Sequence, residues 1–294
     1  MRCTWTGVAA AALLVGGCAT PGSVISADAG ALRTGIAAAR LESQADFAAA
    51  NKLIRDRSID AKIAASTPIL KQSDFPLAVP PEAAQQWSAA FDILDSYAAA
   101  LQSLVDPKNA QGTSDAIGQL GASLNGSSLG AKIPAAVTGA VQAFGAALVQ
   151  AQAERSATAV MRRTDAAFNQ VVGQMAAAVG HSGRDDGTLY QNVEIAWNGS
   201  VLPGIEKRYG QLAPTDAAGR RSVISDYLAA MDSRDAQLTE LGKLSQSLLA
   251  LGRIHSAAAN GRPGDAMFWI QRIGGWADSF KADVAAAGAK GEKQ

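Results

Sequence analysis

PPEAAQQWSAAFDILDSYAAALQSLV, residues 80–105, is the stretch on which the fold reading turns. Its apolar residues Trp87, Phe91, Leu94, Ala98, Leu101 and Val105 step by four and three, which places them on one face of a helix. Pro80-Pro81-Glu82 opens the segment, and proline with an acidic residue suits a first helical turn, where no intrahelical N–H donor is needed. Working outward, the ten prolines leave proline-free runs at 22–67, 108–133, 135–202, 215–262 and from 264 onward. Each of the longer runs carries the same periodicity. Leu32, Ile36, Ala39, Phe47, Ala50 and Ile54 define a helix over about 24–66. Val137, Val141, Phe144 and Leu148, then Met161, Phe168, Val172, Met175 and Val179, run through 133–179. Thr215-Asp216 supplies an N-cap signal for a helix to about Ala259, with Val223, Tyr227, Ala230, Leu238, Leu241, Leu248 and Leu251 on one face. Trp269, Ile273, Trp276, Phe280 and Val284 align over about 264–287. Pro203 is expected to kink or split a helix between about 186 and 213.

Composition agrees. Alanine accounts for 63 of the 294 residues, and it is the best helix former while strands deplete it. Aromatic residues are 5%, charged residues 18%, and mean hydropathy is +0.05, which excludes collagen-like, Cys-rich and polytopic membrane classes. Twenty-six Lys and Arg balance twenty-six Asp and Glu, which argues against nucleic-acid binding. The expectation is an all-α, elongated antiparallel bundle of long helices, three of them above forty residues. Short turns at Asp74–Pro81, Gly180–Gly187 and Asn260–Gly264 would join them. One domain is expected over 24–287, followed by a polar tail at 288–294.

The first residues have a different character. Met1 to Thr6 hold one positive charge, Arg2, and Gly7 to Val15 (GVAAAALLV) form a charge-free apolar run of nine. That is the length of a signal-peptide core and too short to span a bilayer. Val15-Gly16-Gly17-Cys18 follows, and it resembles the lipobox of bacterial lipoproteins. The resemblance covers only the leader. It implies a signal peptide over 1–17, removed by cleavage before Cys18, and diacylglyceryl attachment to the Cys18 sulfur. It also implies a tether over 18–23 and, with Ala19 rather than Asp after the cysteine, an outer-membrane location facing the periplasm. The alternative is an ordinary secretory signal cut near Ala19, which would leave the protein secreted or periplasmic. Cys18 would be the only cysteine of the processed chain, so no disulfide partner competes for it.

From Ala116 to Ala153 the sole charged residue is Lys132, and Ala135, Gly139, Ala143, Ala147 and Ala151 recur every four residues. A line of small side chains permits close helix approach in membranes and soluble bundles alike. The two readings are a membrane-active hairpin and a buried core hairpin. Gln142, Gln150 and Gln152 favour the core.

Catalytic motifs are sparse. Gly126-Ser127-Ser128-Leu129-Gly130 matches G-x-S-x-G, but that motif acts on a strand-to-helix turn, and no strand pattern precedes Gly126. His181 falls in a polar turn. His255 falls near the end of a long helix, where an imidazole can meet free carbonyls. The two lack the spacing of a metal pair. Asp92 and Asp95 could share a face for acid–base work, but a solvated side opposite Trp87 and Phe91 is the simpler expectation. The mixed charges of Arg55–Asp60 and Arg162–Asp165 suit exposed faces. The C-terminal aromatics are expected to fill the core, with Trp269 and Trp276 as a partner-binding patch if exposed beside Gly274-Gly275. The resulting expectation is a lipid-anchored, non-catalytic binding, scaffold or spacer protein. It would have no cofactor and no metal, and would meet an envelope protein or another copy of itself. The alternative is a pore-forming-like protein using 116–153.

Overall fold

A computed structural model describes residues 21–65, 69–105, 135–154 and 156–262. Among them are seven α-helices and no strand. They are α1 (Pro21–Ala65), α2 (Pro81–Val105), α3 (Ala135–Glu154), α4 (Ala157–Val179), α5 (Leu189–Ala196), α6 (Leu202–Gln211) and α7 (Ala217–Ala259). The protein is an all-α helical bundle. The expected last helix over 264–287 and the expected leader over 1–17 lie outside the described residues.

The helices pack by the predicted stripes. Leu32, Ile36 and Ala39 of α1, Phe91, Leu94 and Leu101 of α2, Phe168 and Val172 of α4, and Leu241, Leu248 and Leu251 of α7 are all buried. Each large apolar side chain so buried contributes about 1.5–3 kcal/mol relative to exposure. Partners across α1 and α2 descend on one helix as they rise on the other. Arg33 meets Asp95, Arg40 meets Asp92, and Phe47 meets Trp87, so these two run antiparallel. The α4–α7 pair does the same, from Arg162 with Ala259 to Ala176 with Ser245.

The structure refines several expectations. The 133–179 stretch is two helices of 20 and 23 residues. Ser156 stands in extended conformation and its hydroxyl accepts the Ala159 N–H, so an N-cap restarts the helix there. Only α1 and α7, at 45 and 43 residues, exceed forty. The segment around Pro203 is divided, as expected, into α5 and α6. A π-helical turn over Trp197–Val201 precedes it, and the proline sits at the start of α6, where its missing N–H costs little. Among the described residues the largest fully buried rings are Tyr97, Phe91, Phe144 and Phe168, while Phe268, Trp269, Trp276 and Phe280 lie outside them. Finally, the α7 stripe is not buried throughout. Val223, Tyr227 and Ala230 are half-buried, and the first buried residue of α7 is Leu238.

Beyond that point the buried apolar residues belong to α6, Leu202 and Ile205, rather than to α1 or α7. Residues 51–65 of α1 and 217–237 of α7 contain no buried position. Ile59, Ile63, Ile224 and Leu228 are exposed there.

Candidate functional site

Two buried polar clusters sit between the helices. In the first, Tyr97 of α2, Thr164 and Asp165 of α4, and His255 of α7 form a chain. His255 Nδ1 lies 2.9 Å from Asp165 Oδ1 and its Nε2 lies 2.8 Å from the Tyr97 hydroxyl. That hydroxyl is 2.6 Å from Thr164 Oγ1. Asp165 Oδ1 also accepts from Ser256 Oγ at 2.8 Å and from Asn169 Nδ2 at 3.0 Å. Tyr97, Thr164 and His255 are each 0% exposed. Phe168 stacks on the imidazole with ring centres 4.4 Å apart, and Phe144 stacks on Tyr97 at 4.3 Å.

Burial pushes the His255 imidazole below its ordinary value, against the pull of Asp165. The hydrogen bond from His255, then those of Ser256 and Asn169, hold the Asp165 carboxyl below the usual carboxylate range. Burial raises the Tyr97 phenol. The arrangement that satisfies every group has a neutral imidazole with Nδ1–H donating to ionised Asp165. Nε2 then accepts from Tyr97, and the single Thr164 proton is shared between the Tyr97 oxygen and the Val160 carbonyl at 2.9 Å. An acid, an imidazole and a hydroxyl in line have the connectivity of a catalytic relay. Here the hydroxyl end closes on Thr164 and two aromatic rings. These hydrogen bonds tie α2, α4 and α7 to one another, which couples their register.

The second cluster joins α1 to α7. Glu42 and Asp46, both 6% exposed, stand one turn apart on α1. Glu240, Lys243 and Ser247 of α7 act on them. Burial, reinforced by Glu240, pushes the Glu42 carboxyl up to about 7, with Ser247 and Lys243 opposing. Burial, then the charges of Glu42 and Glu240, pushes Asp46 up to about 8. Asp46 Oδ2 is buried without a hydrogen-bond partner.

The residues singled out in the sequence fall elsewhere or differently. His181 is exposed in its turn, where Asp185 accepts the backbone N–H groups of His181 and Ser182 and lies 3.0 Å from the imidazole. His255 does not cap a helix end, because the close approach of α2 and α4 encloses it. The two histidines are not brought together, and among the described residues no three His, Cys, Asp or Glu side chains could hold a metal. Asp92 and Asp95 do share a face, but they bind Arg40 at 2.6 Å and Arg33 at 2.8 Å across the α1–α2 seam. Arg162 and Asp165 are not simply solvated. The first donates to the Ala259 carbonyl and the second belongs to the histidine network. Of the small-residue line, Ala147 is buried, Ala143 half-buried and Gly139 exposed. The buried face of α3 is Ala140, Phe144, Ala147 and Leu148. That is the core reading for this arm. The 116–134 arm, Ser128, Cys18, Trp269 and Trp276 lie outside the described residues.

Neither buried cluster was anticipated. Glu42 and Asp46 had a signal, because they continue the Leu32–Ile36–Ala39 stripe before Phe47 and Ala50. The class this architecture defines is the all-α helical bundle. Comparison with protein-family models, with curated proteins and with solved structures finds no match.

Proposed function

We propose that the protein is a lipid-anchored, non-catalytic binding or spacer protein of the cell envelope. Cys18 would hold it in the outer membrane, with the bundle facing the periplasm. The observation that carries the binding role is the part of α1 and α7 that contains no buried residue. There two helices continue past their own last buried layer and expose Ile59, Ile63, Ile224 and Leu228. Exposed aliphatic side chains grouped on regular helices suit a protein partner or a second copy of the chain. The non-catalytic part rests on the closure of the Tyr97–His255–Asp165 chain against rings and backbone. The anchoring rests on Val15-Gly16-Gly17-Cys18.

Crosslinking in intact envelopes followed by affinity capture tests this reading, with Cys18→Ala as the unanchored control. The expected result is a defined adduct that is lost with Ile63→Asp and Leu228→Asp. A hydrolytic activity abolished by changing His255 or Asp165 would overturn it.

A further inference from the structure

Glu42 and Asp46 occupy the last layers of packing between α1 and α7. On α1 the final buried residue is Ala50, and on α7 the first is Leu238. The groups facing the two carboxyls across this seam are Glu240, Lys243 and Ser247. Lys243, 2.7 Å from Glu240, opposes the rise of both carboxyls but does not outweigh their burial. The other helices packed on α1 direct their charges elsewhere. Asp92 and Asp95 of α2 face Arg40 and Arg33. Glu194 of α5 lies against Gly183.

Fully ionised, the seam would hold three carboxylates against one ammonium among the described residues, with Asp46 Oδ2 buried and lacking a partner. An unpaired carboxylate in so dry a place is costly, and a proton is the simplest remedy. The closed packing of Phe47 and Ala50 therefore depends on protons carried by Glu42 and Asp46. Beyond this layer neither α1 nor α7 has a buried residue of its own among the described residues, and α6, through Ile205, lies against both, so relief of repulsion is directed toward that end.

We propose that the Glu42–Asp46 seam is a proton-operated latch: protonated, it lets α1 close on α7, and ionised, it parts them toward the ends that have no buried residue of their own. Opening follows rising pH, and no ligand or partner is required. The latch stands independently of the binding role.

Amide hydrogen exchange on the full-length protein tests it, at about pH 6 and about pH 9 with intrinsic rates corrected. Protection of 39–50 and 238–248 is expected to fall by about tenfold or more at the higher pH, the factor that one unit of pKa difference represents. The Glu42→Gln, Asp46→Asn double variant is expected to keep its protection. Equal protection at both pH values in the wild type, or the same loss in the double variant, would overturn the latch. Should the double variant not fold, carboxyl carbon NMR of the wild type decides. Titration above about pH 6 together with shifts in the 51–65 amides supports the latch. Titration near the ordinary value of about 4, or titration without amide shifts, refutes it.

Discussion

Asn51 grips both backbone polar groups of Val79. Its Nδ2 donates to the Val79 carbonyl at 3.0 Å, and its Oδ1 accepts the Val79 N–H at 2.8 Å. The pair is partly buried and fixes the chain just before Pro80-Pro81, where α2 begins. One side chain on α1 thus sets where the next helix starts. Asn51→Ala leaves a shielded donor and acceptor unmet, and should cost about 2 kcal/mol. Urea unfolding checks this. A loss below about 0.5 kcal/mol would mean that water serves Val79 as well.

The histidine network should behave as a unit. Tyr97→Phe removes the hydroxyl that His255 and Thr164 share, and His255→Phe removes the centre of the chain while keeping a ring against Phe168. Each should destabilise by about 1–3 kcal/mol. The double variant should lose less than the sum, by about 1 kcal/mol, because both remove the same bond. Strict additivity in a denaturation cycle would contradict the geometry.

Acid and base should weaken the fold for different reasons. His255 is held neutral, so its folded value lies below that of the unfolded chain. Below about pH 6.5 the unfolded chain binds the extra proton, and stability from this residue falls as pH drops. Glu42 and Asp46 act in the opposite sense. Their folded values of about 7 and about 8 lie above the ordinary carboxylate range, so the folded protein binds more protons and stability falls as pH rises toward about 8. A stability profile should therefore decline on the alkaline side in wild type and flatten there in Asp46→Asn. His255→Phe should alter the acid side alone. A profile that is flat from about pH 6.5 to 8.5 would contradict the alkaline half.

Gly252 of α7 faces Asn169 of α4, and a Cβ added there would overlap Asn169 Oδ1 and press on Val172. Gly252→Ala, ordinarily favourable in a helix by about 1 kcal/mol, should here destabilise by about 1–3 kcal/mol. It should also displace Asn169 from Asp165, visible as a shift of the Asn169 side-chain amide in NMR. An unshifted amide and unchanged stability would mean that α4 and α7 lie further apart.

Anchoring has its own test. Labelling with a radioactive fatty acid should mark the wild-type chain and not Cys18→Ala, and the variant should move from the membrane pellet to the soluble periplasmic fraction. Retention of the variant in the pellet would point to another attachment.

Much of the fold was legible because helical periodicity is local. Trp87, Phe91 and Leu94 needed only their own spacing to mark a face, and Pro80-Pro81 to mark where it starts. The break at Ser156 was missed because no proline or glycine marks it within the proline-free run 135–202, and a lone serine cap is a weak signal among alanines. The π turn before Pro203 was missed because a proline in a helix reads as an end unless the preceding turn widens.

What the sequence by itself determined is an all-α chain, its helix faces and the separate character of its first residues. The tertiary structure alone decided which polar residues meet. Tyr97 and His255 are 158 positions apart, and Asp165 and His255 are 90 apart. Periodicity places each on a face of its own helix but says nothing about the axial register between helices. That register is set by ring packing and by the close approach at Gly252, which together place His255 against Tyr97 and Asp165.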